Sequence, residues 1–181
     1  MKRLKVVQDP HPVLRKRATP VPLPLTQEDR DLLLALLNYV HLSQDKAYAE
    51  KHHIREGIGL AAPQVGISKR LTAISYIKGE TKVEYALANP VIVSQSVKQI
   101  ALTSGEGCLS VAEEKPGYVY RANKITVKAF DLLQNKDIVI QVEGFDAIVL
   151  QHEIDHLNGI LFYDYLQKDD PFKEKPNAEL L

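Results

Sequence analysis

Apolar positions keep two different rhythms along this chain. Leu32, Leu33, Leu36, Leu37 and Val40 recur three and four residues apart, the period of a helix with one buried face. Thr26, with Asp29 three residues on, resembles a capping box and predicts where that helix starts. Upstream, Pro10, Pro12, Pro20, Pro22 and Pro24 predict an extended path over the surface, with at most a short helix around Val13 to Arg17. The stretch from Ser43 to Glu56 is polar and permits one short helix. His41, His52 and His53, on or after the first helix, read as solvated side chains rather than ligands.

The rhythm then changes. Leu71 to Ile77, Tyr85 to Val93 and Ile125 to Leu132 are rich in β-branched and aromatic residues and read as strands. Ile138, Ile140 and Val142 alternate with polar partners, as in a half-buried strand, and Gln134-Asn135-Lys136 supplies a hairpin turn before them. A last helix is expected from about Asp146 to Asn158, with Gly159 placed to end it. The tail, rich in Lys and Pro, reads as frayed or loosely packed. Helix, several strands and late helix, in that order, predict an α+β fold. In it, antiparallel β-sheets pack around a central helix, with an N-terminal amphipathic helix beside them. Residues 1–168 are expected to form one domain, followed by a C-terminal tail, 169–181.

Bulk properties narrow the setting. Twenty-three basic and 23 acidic residues cancel, and no long single-sign run suggests a nucleic-acid or membrane surface partner. The single cysteine, Cys108, rules out an internal disulfide and favours a reducing, cytoplasmic setting. The start, Met1-Lys-Arg-Leu-Lys, has no apolar stretch after it, so a secretory signal is not expected. Leu32 to Leu37, the longest greasy segment, falls far below the roughly 20 residues that span a bilayer.

The chemistry is concentrated in residues 151–159, Gln-His-Glu-Ile-Asp-His-Leu-Asn-Gly. On a helix His152 and His156 lie one turn apart on one face, so both imidazoles can bind one cation. Glu153 can then take a proton from water activated there. The plain alternative is a pair of ordinary hydrogen-bonded histidines. A catalytic site needs a third protein ligand and an open position. Cys108 is the candidate, although a lone cysteine is more often a small buried hydrophobe. Gly105 and Gly107 give freedom to the backbone around it. A third segment, Gly57-Ile58-Gly59-Leu60-Ala61-Ala62-Pro63-Gln64, allows a backbone to lie close to a ligand, and the Gln64 amide can donate to an oxyanion. Otherwise it is a Gly-Pro turn entering a strand. It fits neither common phosphate-binding fingerprint.

Gly57–Gln64, Glu106–Ser110 and Gln151–Gly159, in this order, closely resemble the three signature motifs of peptide deformylase. The resemblance runs from Val7-Gln-Asp-Pro-His-Pro-Val-Leu-Arg15 to Phe162. The polar insertion before Gly57 and Pro116-Gly117-Tyr118 are similar to the type 2 branch. The resemblance implies a hydrolase that removes the formyl group from the initiator methionine of nascent bacterial or organellar proteins and releases formate. It implies Cys108, His152 and His156 as metal ligands and Glu153 as general base and later acid. Gln64 and the Leu109 N–H would stabilise the oxyanion. Substrate would lie along Ile58-Gly59 and beside Gly107, its methionine between Ile58, Phe145, Ile148 and Val149. Glu56 and Arg121 sit where an ion pair supports the site. The implied cofactor is Fe2+, with Ni2+, Co2+ or Zn2+ as substitutes. The implied partners are N-formylmethionyl peptides and, transiently, the ribosome; a monomer is expected, with no membrane and no specific DNA.

Two rivals stand beside this. A zinc endopeptidase of the longer helix-motif type needs a histidine at position 162, which is Phe162, and Glu174 lies in the polar tail. A closed structural metal site needs a fourth ligand; the chain offers no second cysteine and no further histidine motif, which leaves His52 or His53 as candidates.

Overall fold

The computed structural model describes residues 4–181, so the basic start at positions 1–3 lies outside the described residues. The Thr26 hydroxyl accepts the Asp29 N–H at 3.2 Å and begins helix α1, Gln27–Gln44. Asp45 then caps a second short helix, α2 (Lys46–His52), through the Tyr48 N–H. His41 and His52 depart from the solvated expectation. His41 Nε2 lies 2.6 Å from Glu84, and the His52 ring lies against Tyr48 with centroids 4.1 Å apart. Tyr48 lies one turn before His52 on α2, whereas Glu84 reaches His41 from a distant strand.

Five strands form the larger sheet: β1 (Gly59–Ala61), β2 (Leu71–Lys78), β3 (Thr81–Gln95), β6 (Lys124–Asp131) and β7 (Lys136–Glu143). Their order is β1-β2-β3-β6-β7, every pair antiparallel, with β1 at one edge. β3 starts at Thr81, ahead of the expected Tyr85, because Gly79 (φ +61°) turns the chain so tightly that Lys78 pairs with Thr81. The expected turn near Asn135 joins β6 to β7.

A smaller sheet has the order β5-β4-β8, from β5 (Arg121–Ala122), β4 (Gln99–Ala101) and β8 (Ala178–Leu180). Here the tail departs from expectation. It is not frayed at its end: β8 pairs in parallel with β4, and the Leu181 N–H reaches Ala101 O at 2.9 Å. Three residues are too few to show a period-two pattern, and the Lys98–Glu179 ion pair that accompanies them joins positions remote in sequence.

Alternation along the strands puts two cores on the two faces of the larger sheet. Leu71, Ala73, Ala86 and Ala88 pack with Leu33, Leu36 and Val40 of α1. Ile74, Leu87, Val127 and Ile140 pack with Leu150 and Ile154 of the last helix, α3 (Phe145–Leu157). That helix touches β1, β2 and β7 of one sheet and β5 of the other, and so is buried on nearly every side. It ends at Gly159, where φ is +75° and a Cβ would lie 2.7 Å from the Arg15 carbonyl.

Arg70, 7% exposed, fastens the end of α3 to the sheet. Its Nη1 donates to Leu157 O (3.0 Å) and Asn158 Oδ1 (2.9 Å), and its Nη2 to Pro90 O (3.1 Å). A cation at a helix C-terminus also meets the favourable end of the dipole. Arg70→Met is expected to cost about 3 kcal/mol, because it leaves buried carbonyls without donors. Urea unfolding would show this as a lower midpoint at unchanged slope; a loss under about 1 kcal/mol would mean those carbonyls find other partners.

Candidate active site

Helix α3 turns His152 and His156 towards the loop that carries Cys108. The ligand atoms of Cys108, His152 and His156 all lie within 4.8 Å of one another, and Cys108 Sγ is 3.3 Å from His156 Nε2. The three are buried or nearly so. His152 Nδ1 is occupied by Glu106 Oε2 at 2.7 Å, which leaves the other ring nitrogen for the thiol side. Glu106 in turn accepts two hydrogen bonds from Arg121, whose Nη1 donates to Asp155 Oδ2 at 2.7 Å. Tyr165 closes the network, with its hydroxyl 3.2 Å from Asp155 Oδ1 and its ring under the Arg121 guanidinium.

This corrects the ion pair expected for Glu56. Arg121 pairs with Glu106 and Asp155, while Glu56 is exposed at the rim of the cleft. The physical reason is burial: a guanidinium only 4% exposed needs carboxylates that are buried with it. Glu106 and Asp155 are therefore the site residues that sequence reasoning missed. Their signal was present, since each lies within two residues of a candidate ligand inside a quoted motif.

The electrostatics follow from these contacts. Burial alone would raise the Glu106 carboxyl, but His152 and Arg121 outweigh it and hold it below the usual carboxylate range. Burial opposes protonation of His152, yet its hydrogen bonds to Cys108 and Glu106 hold its pKa up at about 10. For His156, burial and then the charges of His152 and Arg121 push the pKa well below normal, so this imidazole is neutral. A thiol, a neutral imidazole and an imidazole backed by a carboxylate form a donor set that suits a divalent transition metal. Metal–ligand bonds of about 2.0–2.3 Å put tetrahedral donors roughly 3.5 Å apart, close to the Cys108–His156 separation. The negative pull that favours a proton on His152 would favour a cation in its place. On these observations the residues fit a metal. Among the described residues, His52 and His53 belong to a different groove and bring no fourth ligand.

Glu153, 4% exposed, stands beside this group with Thr72 Oγ1 3.3 Å from its Oε2. Burial raises its pKa to about 7 against the pull of His152 and Thr72. Gly59 makes room for it: a Cβ there would fall 2.3 Å from Glu153 Oε1. The Gln64 side chain is held by its own oxygen, which accepts the Ala61 N–H at 2.9 Å. Its nitrogen lies 3.3 Å from Ser110 Oγ and 3.6 Å from Cys108 Sγ.

A cleft of about 470 Å³ joins these parts. Gln64, Cys108, Leu109, His152 and Glu153 line it, with Ile58, Gly59 and Gly107, and Phe145, Ile148 and Val149 supply apolar wall. His156 does not line it, lying 1% exposed behind the group, and neither does Arg121. At Gly107 a Cβ would meet nothing within 4 Å, so its missing side chain leaves room in the cleft rather than admitting protein backbone. Ile58 and Gly59 face this space at the open edge of the larger sheet.

Comparison with known proteins agrees with this arrangement. The sequence pattern of the family described as polypeptide deformylase matches residues 3–172. Peptide deformylase 2 of Geobacillus stearothermophilus is 51% identical over 174 residues, covering 96% of this chain and 94% of that protein. Peptide deformylase 2 of Bacillus subtilis (strain 168) is equally similar, with the same coverage. Among solved structures, peptide deformylase from Ehrlichia chaffeensis in complex with actinonin superposes with a TM-score of 0.75 at 33% identity, covering 93% of this chain and 91% of that one. Peptide deformylase from Thermus thermophilus gives 0.73 at 34% identity, covering 91% and 86%. A match of this length, over a chain whose three motif segments meet in one cleft, means that the chain belongs to the polypeptide deformylase family of hydrolases.

Proposed function

We propose that this enzyme hydrolyses the formyl amide of N-formylmethionyl peptides on nascent chains, with Cys108, His152 and His156 holding a ferrous ion. The observation that carries the reading is the meeting of that donor set with a buried carboxylate, Glu153, in one cleft. Family membership supports formylated nascent peptides as substrates, and metal dependence as a family trait. Thiolate and imidazole also suit nickel, cobalt and zinc, which would substitute with different activity.

When bound, the cation supplies Lewis acidity, which lowers the pKa of water and polarises a carbonyl. The chain does the rest. Its substrate adds a strand along Ile58-Gly59 at the free edge of β1, with the methionine side chain between Ile58, Phe145, Ile148 and Val149. Glu153 takes a proton from water as the oxygen bonds to the formyl carbon. Its burial, which opposes the charged form, makes it a stronger base for that proton. As negative charge builds on the formyl oxygen, the Gln64 amide and the Leu109 N–H donate to it. The C–N bond then breaks, Glu153 returns the proton to the departing nitrogen, and formate and a free N-terminus leave. Residues 1–168 are the proposed catalytic unit, with 169–181 as its tail. The proposed setting is bacterial cytoplasm, as a monomer in transient contact with the ribosome. No described helix is long and apolar enough to cross a membrane.

The central experiment measures formate release from a formyl-Met-Ala peptide by anaerobically prepared, iron-loaded enzyme, with unformylated peptide as a control for backbone cleavage. Formate without cleavage is expected; cleavage without formate would overturn the reading in favour of an endopeptidase. Glu153→Gln should keep its metal and lower kcat by about 10²–10⁴. Unchanged turnover would remove Glu153 from the mechanism. In Cys108→Ser, elemental analysis should find reduced metal content or a changed metal preference, and wild-type loading would count against the thiolate. Gln64→Ala should lower kcat by about 10²–10³ with little change in KM; a pure KM effect would point to binding instead.

A further inference from the structure

Arg55 lies just outside the quoted motifs, yet its guanidinium is tied to the cysteine loop. One nitrogen, Nη2, lies 2.7 Å from Cys108 O, 2.9 Å from Leu109 O and 3.1 Å from Val111 O. Three carbonyls that converge on one point need a cation or several donors there, since their partial negative charges repel. The Leu109 carbonyl also accepts from Gln8 Nε2 at 3.0 Å, and the Cys108 carbonyl also accepts the Val111 N–H at 3.2 Å.

That carbonyl has a particular partner. It belongs to the same peptide group as the Leu109 N–H. The peptide is planar, and in its trans form the C=O and N–H point in opposite directions. Holding Cys108 O on Arg55 therefore also sets the direction of the Leu109 N–H. A charged donor on a carbonyl oxygen draws electron density through the amide and makes the N–H at its far end a stronger donor. Arg55 and Leu109 both line the cleft, and the Leu109 side chain is held in place from the other side. A Cβ on Gly57 would come within 2.7 Å of Leu109 Cδ1.

We infer that Arg55 is a positioning residue for oxyanion stabilisation, acting through the Cys108–Leu109 peptide, which its positive charge polarises and orients. The inference rests on the proposed role of the Leu109 N–H as an oxyanion donor. Arg55 touches neither the formyl group nor the metal ligands' donor atoms. Its effect belongs to the step in which charge develops on the formyl oxygen, so it enters kcat and leaves KM alone.

The test compares Arg55→Ala, Arg55→Gln and Arg55→Lys, each loaded with metal, on formyl-Met-Ala peptide, with metal content and thermal midpoint measured for each. Loss of a whole oxyanion donor costs about 10²–10³, so loss of its polarisation is expected to cost about 10-fold in kcat. That loss should occur in Arg55→Ala and Arg55→Gln, with KM and metal content as in wild type. Arg55→Lys, which keeps the charge, should recover kcat to within about threefold of wild type. Equal recovery by Gln would overturn the inference, since a neutral donor would then suffice. So would a loss confined to KM, or one that follows metal content. Should Arg55→Ala fail to fold, the Lys and Gln pair still decides. Wild-type enzyme that releases no formate would defeat the functional reading itself, whereas active wild type with unaltered variants would defeat only the role of Arg55.

Discussion

Glu106 is a carboxylate that folding takes almost completely out of water, and much of the site exists to keep it charged. Arg121 neutralises it from one side and His152 from the other. Without them the burial cost of the charge would protonate it or expel it. With them, one side chain joins the cysteine loop, the smaller sheet and α3 at a single point. It also decides which nitrogen of His152 turns towards Cys108. The distance between motifs in sequence is closed by this contact, since Glu106 and His152 are 46 residues apart.

The two faces of α3 divide the work between stability and chemistry. Ile154 and Leu150 bind the helix to the sheet, and Arg70 holds its last carbonyls. The face with Glu153 and His156 is buried too, but against polar partners, and His152 beside them meets the cleft. A helix surrounded in this way cannot shift one residue without exposing core and stranding a charge. That rigidity keeps the donor atoms of different segments in register. It also explains why Gly59 has no side chain, since β1 lies so near the helix that the Glu153 carboxylate fills the place of a Cβ.

Where reading from sequence and the fold part, long-range pairing is the cause. By position in the chain Glu56 matches Arg121, whereas the partners are Glu106 and Asp155. A candidate pair chosen by position has no way of weighing burial, and burial is what selects among three available carboxylates. His41 finds Glu84 across the gap between α1 and β3. β8 is invisible as a period of two over three residues, and becomes a strand only because β4 offers it an edge.

The three motif segments, the amphipathic period of α1 and the longer strands are determined locally, by spacing, side-chain shape and capping, and so are open to reading from the chain alone. The two histidines one turn apart are a local feature as well, whereas only the fold brings Cys108 within 4.8 Å of both. Tertiary structure alone decided which carboxylate supports His152, which arginine holds the cysteine loop, and that the tail closes a sheet. The reason is physical: hydrogen bonds and desolvation depend on what is brought near in space. Periodicity carries no record of which distant residues will share the same buried volume.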